Sequence, residues 1–217
     1  MRKFAELFGS TRANADIPGI ARAAAREGYA VLPVRPGTKQ PMCTLPRTKV
    51  RAADRLAANA AKVRGRRHWE LTRHDCGRTH AITDPDEAHR VFTRLMAAHS
   101  DLNIGIEVGR SRVITIDCDT AAEVASFTEL WAERDAAPAM ANAAPTVRSP
   151  GKQNEAGEWV HADGGHFHFL LPDGVELPTD ISVSMPIGAD PAALAFAMYA
   201  DSLVLVPPSV RDEGPYV

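Results

Sequence analysis

RVITIDCDT, residues 112–120, decides how this chain reads. Val113, Ile114, Thr115 and Ile116 suit a buried strand, with Arg112 at its mouth. The strand then ends on Asp117 and Asp119, with Cys118 between them. Side chains alternate along a strand. The two aspartates therefore share a face, with Cα atoms roughly 6.5–7 Å apart at ~3.3 Å per residue, and Cys118 faces the other way. Two carboxylates that close repel each other unless a cation lies between them. Hard divalent cations prefer oxygen ligands, and two such ions ~3.5–4 Å apart clamp an in-line attack on phosphorus. An Asp-x-Asp pair alone is a weak signal, because exposed aspartates are common at strand ends.

The flanking sequence places this strand. NIGIEV precedes it across GRS, and two apolar runs around a glycine turn predict a hairpin. Thr120-Ala-Ala-Glu123 follows as a capping box, opening a helix whose buried stripe is Val124, Phe127, Leu130 and Trp131. The acidic pair thus lies where a strand hands over to a helix. Upstream, Asp16 and Pro18 start a helix that Gly28 ends. YAVLPV is then a strand, and RPGTKQP a turn carrying Lys39. Residues 51–64 read as an Ala-rich helix and 65–82 as irregular. Asp84 caps a helix with Pro85 in its first turn and Ala88, Val91, Phe92, Leu95 and Met96 on its apolar face. PTVRSPG and GGHFHFLLP read as partner strands joined by a polar loop. DPAALAFAM predicts a short helix, and DSLVLVPPS a strand stopped by prolines. Helices mixed with hairpins predict an α+β fold with a largely antiparallel sheet.

The chain has 217 residues, enough for one large domain or a core with a small annex. At 45% hydrophobic and 24% charged it has the balance of an ordinary globular protein. No apolar run reaches the roughly 18 residues of a membrane span, and the N-terminus lacks a secretory signal. The cysteines, Cys43, Cys76 and Cys118, are odd in number without framework spacing, which points to a reducing cytoplasm. Net charge is −2, yet residues 47–80 carry ten Lys/Arg against three Asp/Glu, leaving −9 for the remainder. This basic insertion, about residues 47–82, is either a solvated helix face or a patch that follows phosphates.

DGGHFHF adds a second constellation. His166 and His168 share one strand face, Phe167 and Phe169 point to the other, and Gly164-Gly165 allow a close approach. Together YAVLPVRPGTKQP, NIGIEVG, VITIDCDT, TVRSPG, DGGHFHFLLP and LVLVPPSV resemble, in order, the bifunctional primase-polymerase domains of the archaeo-eukaryotic primase superfamily. The resemblance covers about residues 29–212. It implies an RRM-like, mostly antiparallel sheet flanked by helices; the basic insertion, which the resemblance does not cover in detail, is expected to form a small annex. It also implies a single domain over 1–217 at the head of a longer helicase-primase of phage or plasmid replication, working in the cytoplasm.

The resemblance implies roles for particular residues. Asp117 and Asp119 would bind Mg²⁺ or Mn²⁺. His166, in Gly164-Gly165-His166, would contact the triphosphate of the incoming nucleotide. Asp201 is the leading candidate for a third carboxylate; the lead-in usual for the family is missing, so Asp190 and Asp180 stay open. Lys39 and Arg148 match basic positions and would bind phosphate. Substrates would be nucleoside triphosphates on a single-stranded DNA template. Zinc is a weaker idea: His68, His74, Cys76 and His80, with Cys43 upstream, fit no strong zinc spacing. Two other functions use the same sequence. A metal-dependent nuclease would employ the carboxylates and the histidine with water as nucleophile. A non-catalytic DNA-binding module for helicase loading would employ the basic block instead.

Overall fold

In the computed structural model, residues 4–9, 15–42, 44, 80–133, 143–175, 182–186, 195–199 and 202–217 are described. The fold is α+β, and every ladder between its strands is antiparallel. It has two main sheets. The first is three-stranded, in the order β1 (Ala30–Val34), β2 (Asn103–Glu107), β10 (Leu203–Leu205). The second is five-stranded, in the order β4 (Val147–Arg148), β7 (Asp163–Leu170), β3 (Val113–Thr120), β9 (Ala195–Tyr199), β8 (Ser182–Pro186). Two small hairpins complete it: β5 (Lys152–Gln153) with β6 (Trp159–His161), and β11 (Val210–Arg211) with β12 (Gly214–Pro215).

β1 and β2 are buried at every residue, which is why YAVLPV and NIGIE read as apolar runs instead of alternating ones. On one side Val31, Ile104 and Ile106 join α1 (Phe4–Phe8), α2 (Ile17–Arg26) and α3 (Pro85–Met96) in the main core. On the other, Leu32, Val34 and Leu205 meet Val147 of the second sheet and Tyr216. α2 and α3 begin as the sequence predicts. The Asp16 carboxylate accepts from the Gly19 N–H at 3.0 Å, and that of Asp84 accepts from the Glu87 N–H at 2.7 Å. These caps satisfy donors that the first helical turn leaves unpaired.

Three expectations fail. NIGIE and VITID do not form a hairpin: β2 pairs with β1 and β10, whereas β3 pairs with β7 and β9. The turn between them is tied back to β1. Ser111 Oγ donates to the Glu107 carbonyl at 2.5 Å and accepts from the Ala30 N–H at 2.9 Å. Arg112 then adopts φ +53° and the chain leaves for the second sheet. Of DPAALAFAM, residues 190–194 lie outside the described residues, and the end of the motif falls in strand β9, Ala195–Tyr199, not in a helix. Helix propensity separates ordinary residues by less than ~1 kcal/mol each, and β9 instead supplies hydrogen-bond partners for the open side of β3. Trp131 is not buried in its helix stripe; it stays 39% exposed, stacked on Phe169.

Candidate functional site: an acidic strand end facing two histidines

β3 hands over to α4 (Ala121–Glu133) through the capping box read from the sequence. The Glu123 N–H donates to Thr120 Oγ1, and Glu123 Oε2 accepts from the N–H groups of Thr120 and Asp119. The second aspartate is therefore held at its backbone by the first turn of α4. On the covered face of β3, Ile116 and Cys118 pack with Phe167 of β7 and Phe127 of α4. Burial, then the nearby charges of Glu123, Asp117 and Asp119, push the Cys118 thiol up to about 12. It stays a protonated core residue.

The opposite face carries the candidate site residues. Asp117 lies directly across from His166 in the β3–β7 ladder, so both side chains project the same way. His166 Nε2 is 3.2 Å from Asp117 Oδ1. Burial alone would raise the Asp117 carboxyl. The hydrogen bond from His166, with the charges of His166, Lys39 and His161, outweighs it and holds the group below the ordinary carboxylate range. Asp119, further along and more exposed, has Oδ2 at 2.9 Å from His161 Nδ1 on β6. The Gly-Gly pair serves close backbone approach. A β-carbon on Gly164 would strike the Cys118 carbonyl, and one on Gly165 would come within 2.5 Å of the Val147 carbonyl.

Lys39, Asp117, Asp119 and His166 line one cleft of about 250 Å³. Its other lining residues include Lys152, His161, Tyr199, Arg211 and Tyr216. The cleft is thus an acidic pair ringed by cations and imidazoles. Burial, and then the charges of Asp117 and Asp119, raise the Tyr199 hydroxyl. Burial pushes Tyr216 up to about 12, with Arg211 pulling against it. Both phenols stay protonated near neutral pH.

The structure does not bring Arg148 to this cluster. Arg148 pairs with Gly165 while its neighbour Val147 pairs with His166, so alternation puts Arg148 on the reverse face. It lines a separate cleft. Asp201, Asp190 and Asp180 lie outside the described residues, as do Cys43, His68, His74 and Cys76. Among the described residues no group of three or more His, Cys, Asp or Glu is arranged to hold a metal. Sequence reasoning missed His161, Tyr199 and Tyr216. Each arrives from a different segment, and no spacing rule links them to β3.

The sequence profile of the family described as bifunctional DNA primase/polymerase, N-terminal, matches residues 21–217. The chain belongs to the bifunctional DNA primase/polymerase family. Family membership makes it a nucleotidyltransferase-type enzyme whose substrates are DNA and nucleotides. No curated protein and no solved structure matches the chain significantly. No helix among the described residues is long and apolar enough to cross a membrane.

Proposed function

We propose that the acidic cleft is the nucleotidyl-transfer centre of a divalent-metal-dependent DNA primase/polymerase, which makes and extends primers on single-stranded template during phage or plasmid replication. The observation that carries the reading is the register of β3 on β7. It sets two same-face carboxylates against His166, with Lys39 and Lys152 lining the same cleft.

Two carboxylates and no closed protein cage suit Mg²⁺ or Mn²⁺, which take one or two protein carboxylates and complete their shell with substrate phosphates and water. Asp117 and Asp119 would hold such ions. Bound there, such a metal would lower the pKa of the attacking 3′-hydroxyl and neutralise charge on the triphosphate. Asp117 is ionised across the neutral range, since its carboxyl is held low. His166 presents Nε2 toward the cleft and would exchange its contact with Asp117 for one with the triphosphate. Lys39 and Lys152 supply fixed positive charge where leaving pyrophosphate develops negative charge. The protein thus positions and neutralises, with no covalent intermediate. Asp201 is kept as the candidate third carboxylate. Any zinc bound by the 68–80 histidines, and a helicase joined further along the polypeptide, belong to the same family-based reading.

The test is a primer-synthesis and extension assay on defined single-stranded templates, with ribo- and deoxynucleotides and with Mg²⁺ or Mn²⁺. New strands are expected, and the double variant Asp117→Ala/Asp119→Ala should abolish them while leaving single-strand binding intact. Template shortening in place of synthesis would instead establish the nuclease. Synthesis that survives the double substitution would remove the acidic cleft from the mechanism.

A further inference from the structure

A second cleft, of about 770 Å³, opens on the reverse side of the β4–β7 edge. Val124 of α4 and Pro145 ahead of β4 contribute apolar lining. Two large side chains stand over it: Arg148, exposed on the reverse face, and Trp159, which is 51% exposed on β6. The indole ring rests against the backbone. It lies against Gly151, where a β-carbon would stand 3.0 Å from Trp159 Cζ3, and Gly151 itself adopts φ +82°. A side chain at position 151 would be strained and would displace the ring.

The two clefts adjoin. Ser149 lines both, and Gly151, which supports the indole, lines the acidic cleft. The short β5–β6 hairpin therefore sends His161 and Lys152 into one cleft and Trp159 into the other. Among the described residues, Asp163 is the one acidic residue lining the second cleft.

An exposed indole and a guanidinium over one open cleft of mixed polar and apolar lining suit a single strand. Every base offers a π-face for stacking regardless of sequence, and a guanidinium forks onto phosphate oxygens. Adjacency to the acidic cleft selects the occupant. A template must approach the transfer centre from one side, and Trp159 offers an exposed aromatic surface beside it.

We infer that the second cleft binds the single-stranded DNA template, with a base stacked on Trp159 and an adjoining phosphate on Arg148. The inference rests on the polymerase reading of the acidic cleft.

Binding of a fluorescent oligo(dT) to the full chain, measured in EDTA without nucleotide, keeps metal and triphosphate out of the readout. Trp159→Ala should weaken binding about five- to a hundredfold, the range expected for one lost base stack. Trp159→Phe should retain most of the affinity. Arg148→Ala should flatten the slope of log K against log salt by about 0.7, the share of one phosphate on a single strand. In extension assays Trp159→Ala should raise the template KM and leave the nucleotide KM unchanged. Wild-type affinity and slope in both alanine variants would overturn the assignment, as would an intact chain that does not bind the oligonucleotide. A chain that binds DNA through Trp159 but makes no strand with any nucleotide and metal would overturn the polymerase reading alone.

Discussion

His166 and His168 stand two residues apart on β7, on the same face, with ring centroids 5.7 Å apart. Their surroundings differ completely. His166 opens onto the acidic cleft with Nε2 at Asp117. His168 is closed off: its Nδ1 lies 2.8 Å from Thr115 Oγ1, and the Phe4 ring of α1 sits 4.6 Å away. Burial, then the charge of His166, holds the His168 imidazole well below its ordinary value, against a smaller opposing pull from Asp117. One strand thus carries a histidine that faces the acidic cleft and one that packs against α1. Alternation assigns both to the same face. Only what covers that face separates them, since α1 seals the Val113 end of the ladder and leaves the Asp119 end open.

The contrast breaks most visibly at His166. His166→Ala should raise the nucleotide KM about 10- to 100-fold, the worth of a hydrogen bond to a charged group. His168→Ala should leave that KM close to wild type; an equal rise in both variants would erase the distinction. Next, His161→Ala should raise the metal concentration for half-maximal synthesis by about tenfold, since His161 stands beside the Asp119 carboxylate and outer-shell partners tune bound metal. A metal titration of extension rate reads this.

His168 should show itself in stability. His168→Ala leaves Thr115 without its partner and opens space beside Phe4, at a cost of about 1–3 kcal/mol. Melting temperature should fall by about 2–4 °C per kcal/mol. The pH dependence has a definite sign. The folded state keeps His168 neutral, while the unfolded chain protonates it near 6.5. The native advantage is therefore full above pH 6.5 and declines as pH falls below it, until the depressed folded pKa is reached. Between pH 7.5 and 5.5 the wild type should lose up to about 1.4 kcal/mol relative to His168→Gln in denaturant titrations. A constant difference would show that this histidine is solvated. The smallest effect belongs to Lys39→Ala. Removing one charge from the rim of the cleft should raise the nucleotide KM only a few-fold, and less at high salt, as screening predicts.

The strand–helix handover, the same-face pairing of Asp117 with Asp119 and the interleaving of His166 with Phe167 were legible because they depend on periods of two and on caps within four residues. The Thr120–Glu123 box formed as read, and Phe167 packs on Phe127, with ring centroids 4.8 Å apart. The GRS turn misled because a local pattern cannot say which strand takes the open edge. The tie of Ser111 to Ala30 spans 81 residues. β9 misled for the same reason: alanines and methionine favour helix weakly, and the unpaired side of β3 overrode them.

By itself the sequence determined the family, the acidic pair and the histidine strand, since each is written within a few consecutive residues whose backbone geometry fixes where side chains point. The tertiary structure alone decided the rest. It set His161 beside Asp119, gathered Lys39, Tyr199 and Tyr216 around the pair, sent Arg148 to the far side of its sheet and covered His168 with Phe4. Those contacts join segments far apart along the chain. Their partners are chosen by which surfaces bury together, which no local period encodes.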